Sequence, residues 1–174
     1  LHNILPEETA REIKENGKAL ARYYESATVM FCDITGFTTI SEQLAPQLLI
    51  NCIDTCYSKF DEIVERYGVE KIKVIGDSYM CASGLPVENT THAVDMLKAV
   101  FEMHAFSEAY SEELRKQGMP AFRFRFGVHT GPLISGVVGR KKFAYDIWGD
   151  TVNIAARMEQ SSEPGKVNIS EATY

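Results

Sequence analysis

Long apolar runs, a surplus of positive charge and closely paired cysteines are all missing from this sequence. Its 174 residues contain no run of the roughly 18 apolar residues that a membrane-spanning helix requires. The first residues lack the basic-then-apolar order of a secretory signal. Eighteen basic and 24 acidic residues leave a net charge of −6, which argues against a general nucleic-acid binder. A polyanionic substrate must therefore be held by local positive charges or by metal ions.

The four cysteines form no CxxC pair. Reduced, partly buried thiols are the favoured interpretation, because a disulfide framework or a zinc site would show characteristic spacings. Reduced thiols place the chain on the cytosolic side of a membrane, and the sequence leaves soluble and membrane-tethered forms of the intact protein open.

Hydrophobic residues make up 45% and charged residues 24% of the chain, as in one ordinary globular domain. Apolar periodicity predicts helices over about 7–16, 39–66, 90–116 and 150–159, the last of them capped by Asp150. It predicts strands between them, over 27–32, over 71–75 and 78–82 as a hairpin, over 122–126 and 133–139, and over 166–169 after the last helix. This order predicts an α+β fold with helices packed on a mostly antiparallel sheet.

The first 22 residues are expected to form a connector from an upstream region, because their predicted helix is short and polar. Residues 23–174 then form the functional domain. Two long helices can bury one face of the sheet, and a second copy of the chain could cover the other.

Two acidic residues stand where predicted strands end. Asp33 follows the first strand, and Asp77 follows Gly76 at the tip of the first hairpin. Carboxylates at neighbouring strand ends suit Mg²⁺, which takes one or two carboxylates together with phosphate oxygens and water. The alternative is structural, with Asp33 capping a strand and Asp77 serving as a turn residue.

Two further features suit a phosphate chain. Gly36, Phe37 and Thr38 precede a helix whose first backbone N–H groups could face a triphosphate. Three phenylalanines and two arginines alternate over 122–126, which puts Arg125 on the polar face of a strand. A solvent-facing charge is the alternative role for Arg125.

Three motifs, taken in order, resemble the class III nucleotidyl cyclases: FCDITGFT from Phe31, KVIGDSYM from Lys73 and YDIWGDTVNIAARM from Tyr145. The resemblance runs from about Leu5 to the end of the chain. It implies a ferredoxin-like palm core, a homodimer, and conversion of a nucleoside triphosphate to its 3′,5′-cyclic monophosphate with release of pyrophosphate.

The resemblance also assigns the metal and phosphate ligands. Asp33, Asp77 and the carbonyl of Ile34 match the positions that hold two Mg²⁺ or Mn²⁺ ions. Arg125 matches an arginine that can reach the phosphates. The family's further phosphate-binding lysine is expected beyond Tyr174, so the C-terminal end of the domain is predicted to be truncated.

Lys73 and Asp146 match the family's base-recognition pair. Adenine offers an acceptor at N1 and a donor at its 6-amino group, which complements a lysine that only donates and a carboxylate that only accepts. Guanine reverses both edges, and guanylate cyclases usually carry Glu and Cys at these places. ATP is therefore the expected substrate, with a guanylate cyclase as the alternative.

Asn153 and Arg157 match the residues that orient the ribose and stabilise the transition state. Their spacing of four places both on one face of the predicted helix. The resemblance assigns the metal ligands to one subunit and Lys73, Asp146, Asn153 and Arg157 to the other. A non-catalytic regulatory or dimerisation module is the remaining alternative, and the presence of both half-sets of residues argues against it.

Overall fold

The computed structural model describes residues 3–174, so Leu1 and His2 of the predicted connector lie outside the described residues. The helices are α1 (Glu7–Asn16), α2 (Phe37–Gln43), α3 (Pro46–Arg66), α4 (His92–Lys116) and α5 (Asp150–Gln160). The strands are β1 (Arg22–Ile34), β2 (Glu70–Ile75), β3 (Ser78–Ser83), β4 (Phe124–Val138), β5 (Ala144–Trp148) and β6 (Val167–Ile169).

The strands form one sheet in the order β2-β3-β1-β4-β5, and β6 pairs with β4. Every pairing along the main order is antiparallel, and only the β4–β6 pair is parallel. With helices between β1 and β2 and between β3 and β4, the first four strands have the split βαβ topology of ferredoxin-like folds. The predicted α+β palm with helices on a mostly antiparallel sheet is confirmed.

One face of the sheet packs against α3 and α4. Phe122, Phe124 and Phe126 are fully buried there, which confirms the one-sided placement of the three phenylalanines. Phe60 of α3 fits among them, with 5.2 Å between its ring centroid and that of Phe124. Burial of such large rings is the main favourable contribution to folding, worth roughly 1.5–3 kcal/mol per side chain.

α1 and α5 supply a second, smaller core on the opposite face, where Ala10 and Ala155 pack near Tyr24 and Leu133. Gly127 of β4 lets α5 approach, because a Cβ atom there would lie 1.9 Å from the backbone nitrogen of Glu159. The second face of the sheet, which the sequence analysis expected another copy of the chain to cover, is thus partly covered by the chain's own helices.

Four predicted elements differ from the structure. The helix expected over 39–66 is two helices, because Pro46 cannot continue a helix and instead begins α3. The strands expected over 122–126 and 133–139 are one strand, β4, and its hairpin partner is β5, which the sequence analysis missed. The helix cap expected at Asp150 is Gly149, and Asp150 is the first helical residue.

All four cysteines are buried and free, as predicted. In the described part of the chain, no helix combines the length and the apolar character needed to cross a bilayer.

Candidate active site

The first two acids meet where β1 ends beside the turn between β2 and β3. Cys32 pairs with Tyr79 in the sheet, which places Asp33 next to the turn that carries Asp77. The backbone N–H of Ile34 donates a hydrogen bond of 3.2 Å to Oδ2 of Asp77. Burial raises the pKa of Asp77, and the nearby negative charge of Asp33 raises it further. Two carboxylates that repel each other in this way could hold a divalent cation between them.

Arg125 faces Asp33 directly across the β1–β4 pair. Its Nε lies 2.9 Å from Oδ1 and its Nη2 3.2 Å from Oδ2 of Asp33, which is a two-point contact. Nε also donates to Oε1 of Glu159 at 2.8 Å, and Nη1 donates to the carbonyl of Gln160 at 3.3 Å. The guanidinium expected to reach phosphates is therefore held by Asp33 and Glu159 beside the end of β1.

Glu159 lies on the buried face of α5, where its side chain is only 5% exposed. Burial raises its pKa to about 8, and the hydrogen bond and charge of Asp33 act in the same direction. The opposing charge of Arg125 lowers the pKa and partly offsets those effects. Glu159 is thus an integral part of the site.

The second pair of predicted residues, Lys73 and Asp146, lies on the two edge strands of the sheet. Nζ of Lys73 on β2 lies 2.6 Å from Oδ2 of Asp146 on β5. These strands are at opposite ends of the sheet order, so the sheet curls enough to bring its edges together. Asp146 also accepts a 2.8 Å hydrogen bond from the N–H of Ile147 at Oδ1, which fixes the carboxylate. The structure brings the predicted base-recognition pair together within one chain.

Asn153 and Arg157 lie on one face of α5, as their spacing predicted, and that face is exposed. Thr151, Ala155 and Glu159 form the buried face of the same helix. Within residues 3–174, neither the Asn153 nor the Arg157 side chain makes a hydrogen bond or an ion pair. Both are available to a ligand or to another chain.

The predicted triphosphate loop lies beside Asp33. Gly36 is the residue before α2 and has φ 68°, a left-handed conformation that glycine adopts without strain. Phe37 packs against the large core and Thr38 is exposed at the start of α2. In the same loop, the buried hydroxyl oxygen of Thr35 has no hydrogen-bond partner in the described chain. The loop that follows Asp33 therefore retains one buried hydroxyl without a partner.

The carboxylates of Asp33 and Asp77 are the kind of donor that suits a hard cation. Among the residues that the structure describes, no three His, Cys, Asp or Glu side chains cluster as metal ligands. Asp33 and Asp77 offer two carboxylates, the number that Mg²⁺ typically takes when phosphate and water complete its shell. These two side chains, with the Ile34 carbonyl, are the residues that would hold it.

Sequence reasoning missed Glu159 and Tyr57. Tyr57, buried on α3, donates its hydroxyl to the backbone carbonyl of Asp77. Glu159 could have been found, because it stands four and eight residues after Ala155 and Thr151, on the stripe that faces the core. An acid on a buried stripe signals a partner elsewhere in the fold.

Comparison with known proteins agrees with this geometry. Residues 20–174 match the family described as adenylate and guanylate cyclase catalytic domain. An adenylate cyclase of Mycobacterium tuberculosis is 39% identical over 175 residues, covering 100% of this chain and 39% of the relative. Human guanylyl cyclase C is 40% identical over 171 residues, covering 98% of this chain and 16% of the relative.

A solved structure agrees as well. The adenylyl cyclase CyaB from P. aeruginosa superposes with a TM-score of 0.83 at 30% identity, covering 89% of this chain and 81% of that one. The chain belongs to the adenylate and guanylate cyclase catalytic domain family. It spans about two-fifths or less of the curated relatives it matches.

Proposed function

We propose that this chain is the catalytic domain of an adenylate cyclase, a phosphorus–oxygen lyase that converts ATP to 3′,5′-cyclic AMP and pyrophosphate in sites shared across a homodimer. Relatives of both substrate classes are similar to the same degree, so the choice of ATP is argued from the residues. The observation that carries it is the 2.6 Å ion pair between Lys73 and Asp146.

The ion pair presents the hydrogen-bonding sense that adenine needs. Lys73 has three N–H donors, so it can keep one on Asp146 and offer another to adenine N1. The two oxygens of Asp146 accept from Lys73 and from the Ile147 N–H, and their remaining lone pairs can accept from the 6-amino group. Guanine would place a donor against Lys73 and an acceptor against Asp146, leaving both charges unpaired at the base edge.

Asp33 and Asp77, with the Ile34 carbonyl, are proposed to bind two Mg²⁺ or Mn²⁺ ions with the triphosphate. The bound ions supply Lewis-acid chemistry, lowering the pKa of the ribose 3′-hydroxyl and balancing phosphate charge. Arg125 and the loop of Gly36, Phe37 and Thr38 are proposed to hold the triphosphate.

Asn153 and Arg157 are proposed to act on the ribose and the α-phosphate. Asn153 would orient the ribose so that its 3′-oxygen faces the α-phosphorus in line with the pyrophosphate leaving group. Negative charge grows on the phosphate oxygens during attack, and a guanidinium placed there stabilises the transition state more than the ground state. Free, exposed side chains on one face of α5 support these roles.

A row of exposed apolar side chains supports the homodimer. Tyr23, Ile134 and Trp148 are cross-strand neighbours on β1, β4 and β5, and they are 65%, 46% and 43% exposed. A contiguous apolar row of this kind marks a surface that another protein covers. A two-fold dimer would pair the metal residues of one subunit with Lys73, Asp146, Asn153 and Arg157 of the other.

The segment 1–22 is proposed to connect the domain to an upstream region. Leu5, just before α1, and Ala10 within α1 pack into the smaller core against the sheet. Arg22 lies 3.6 Å from Glu8 and 3.4 Å from Glu12, so the segment is also held by charge. A signal arriving through α1 would therefore reach the sheet directly.

Substrate choice is tested by measuring cyclic AMP from ATP and cyclic GMP from GTP with Mg²⁺ or Mn²⁺ present. We expect kcat/KM for ATP to exceed that for GTP by about 100-fold or more, because a site built for one hydrogen-bonding sense rejects the other strongly. Lys73→Glu combined with Asp146→Cys should shift the preference toward GTP.

The matched control is Lys98→Glu, the same charge reversal on the exposed side of α4, which should leave the preference unchanged. Faster turnover of GTP by the unaltered chain would assign it to the guanylate cyclases. Turnover of neither nucleotide by a confirmed dimer would favour the regulatory module.

A further inference from the structure

Arg125 is shared between two acids, and only one of them belongs to the proposed metal site. Its Nε lies 2.9 Å from Asp33 and 2.8 Å from Glu159, so a single N–H serves both carboxylates. Nη2 adds the second contact to Asp33 at 3.2 Å. Nη1 reaches the Gln160 carbonyl, next to Glu159 at the end of α5, at 3.3 Å.

This sharing sets up a competition at Asp33. The guanidinium contacts both carboxylate oxygens of Asp33, so a divalent cation bound there would lie beside a positive charge that repels it, and moving Arg125 off Asp33 relieves that repulsion. Arg125 is 31% exposed, and a released charge in that position would face a divalent cation without enough water to screen it. The release is favourable only if another acceptor holds the guanidinium.

We propose that Glu159 is a positioning residue that retains Arg125 when Asp33 binds the metal. Nε stays on Glu159 and Nη1 stays on the Gln160 carbonyl, while Nη2 becomes free to donate to another acceptor such as the triphosphate. The inference rests on the proposed function, because it requires Asp33 to be a metal ligand.

The packing of α5 does not itself require a glutamate here. The helix is already held by the close approach at Gly127, by the Thr151 hydroxyl on the Pro132 carbonyl at 2.6 Å, and by Asn168 Nδ2 on the Met158 carbonyl at 2.9 Å. A carboxylate with 5% exposure is costly to bury, and a leucine would fill the same space without that cost. Glu159→Leu therefore separates positioning from packing, because it should weaken metal binding without lowering the melting temperature.

The test is direct Mn²⁺ binding to the purified chain without nucleotide, followed by loss of the EPR signal of free Mn²⁺. We expect Glu159→Leu to raise the Kd for Mn²⁺ about tenfold, the effect of losing one charge-assisted hydrogen bond. Arg125→Leu combined with Glu159→Leu should restore a Kd equal to or below that of the unaltered chain, because the competing cation is gone. Glu159→Gln keeps the size and one acceptor oxygen, and should raise the Kd about threefold.

Glu163→Gln, an exposed glutamate just after α5, is the matched control and should leave the Kd unchanged. An unchanged Kd in both Glu159→Leu and Glu159→Gln would overturn the inference. So would a double variant as weak as Glu159→Leu alone, because the loss would then not pass through Arg125. If instead Asp33→Asn binds Mn²⁺ as well as the unaltered chain, the metal assignment of the proposed function fails.

Discussion

At the scale of single residues, Glu70 provides a test of electrostatics outside the site. Burial at the start of β2 raises the pKa of Glu70 to about 7. Its carboxyl therefore keeps its proton in the folded state over a pH range in which the unfolded chain has lost it. Because Glu70 then binds more protons in the folded state than in the unfolded state, its contribution to stability must fall as pH rises from about 4.5 to about 7.

Glu70→Gln should remove this contribution. We expect the variant to match the unaltered chain in free energy of unfolding near pH 4.5 and to exceed it by about 1–2 kcal/mol at pH 8, after allowance for the solvent that reaches the side chain. Denaturant unfolding at several pH values measures the difference. Glu88→Gln, an exposed acid between β3 and α4, is the control and should show no such gap. A constant difference between Glu70→Gln and the unaltered chain across pH would refute the assignment.

At the scale of elements, the position of α5 depends on the glycine beneath it. A Cβ atom at Gly127 would lie 1.9 Å from the nitrogen and 2.4 Å from the Cα of Glu159, so Gly127→Ala must displace the helix backbone. Overpacking of this kind costs about 1–3 kcal/mol, and we expect the melting temperature to fall by roughly 5 °C. Cyclase activity should fall about 100-fold, because displacing Asn153 and Arg157 by about 1 Å misplaces catalytic groups.

Gly136→Ala on the same strand is the comparison for stability. Its Cβ would meet only the Trp148 ring, at 3.3 Å, and this partly exposed side chain can move. A much smaller change in melting temperature is expected. Equal losses for both alanine variants would show that general weakening of β4, and not displacement of α5, explains the effect.

The same region shows why sequence prediction failed where it did. The sequence analysis predicts separate strands over 122–126 and 133–139, yet β4 runs unbroken through the glycines and the proline between them. Gly127 and Gly131 instead allow α5 to pack closely on β4. A Cβ atom at Gly131 would lie 2.5 Å from the Thr151 hydroxyl oxygen. A requirement imposed by a helix 20 or more residues away leaves no local periodicity, whereas the amphipathic stripes of α3 and α4 predict those helices directly.

The site residues also divide into those that local sequence predicts and those that depend on contacts made by the whole fold. Asp33 and Asp77 could be placed from the sequence because both follow predicted strands, and strand ends are local features. Lys73 and Asp146 were paired by resemblance, and their ion pair depends on the curl of the whole sheet. Glu159 was missed because its importance comes from contact with Arg125, which is 34 residues away in the chain.

At the scale of the whole molecule, the proposed dimer makes a quantitative prediction. Asp33→Ala removes a metal ligand and Arg157→Ala removes the transition-state guanidinium, so each homodimer should be nearly inactive. In a mixed dimer, one site receives both defects and the other receives none. With random pairing half of the dimers are mixed, so the mixture should regain roughly a quarter of the unaltered activity.

The measurement is cyclic AMP formation after the two inactive proteins are mixed and their dimers allowed to exchange subunits. Asp33→Ala mixed with Asp77→Ala is the control, because both changes affect metal ligands from the same half-set and no mixed site is intact. If activity returns in the first mixture and not in the control, the acids at the end of β1 and the exposed face of α5 must act together only across two chains. If mixed dimers are confirmed by mass and activity does not recover in that mixture, each chain builds its own site. The exposed row of Tyr23, Ile134 and Trp148 would then need a different partner.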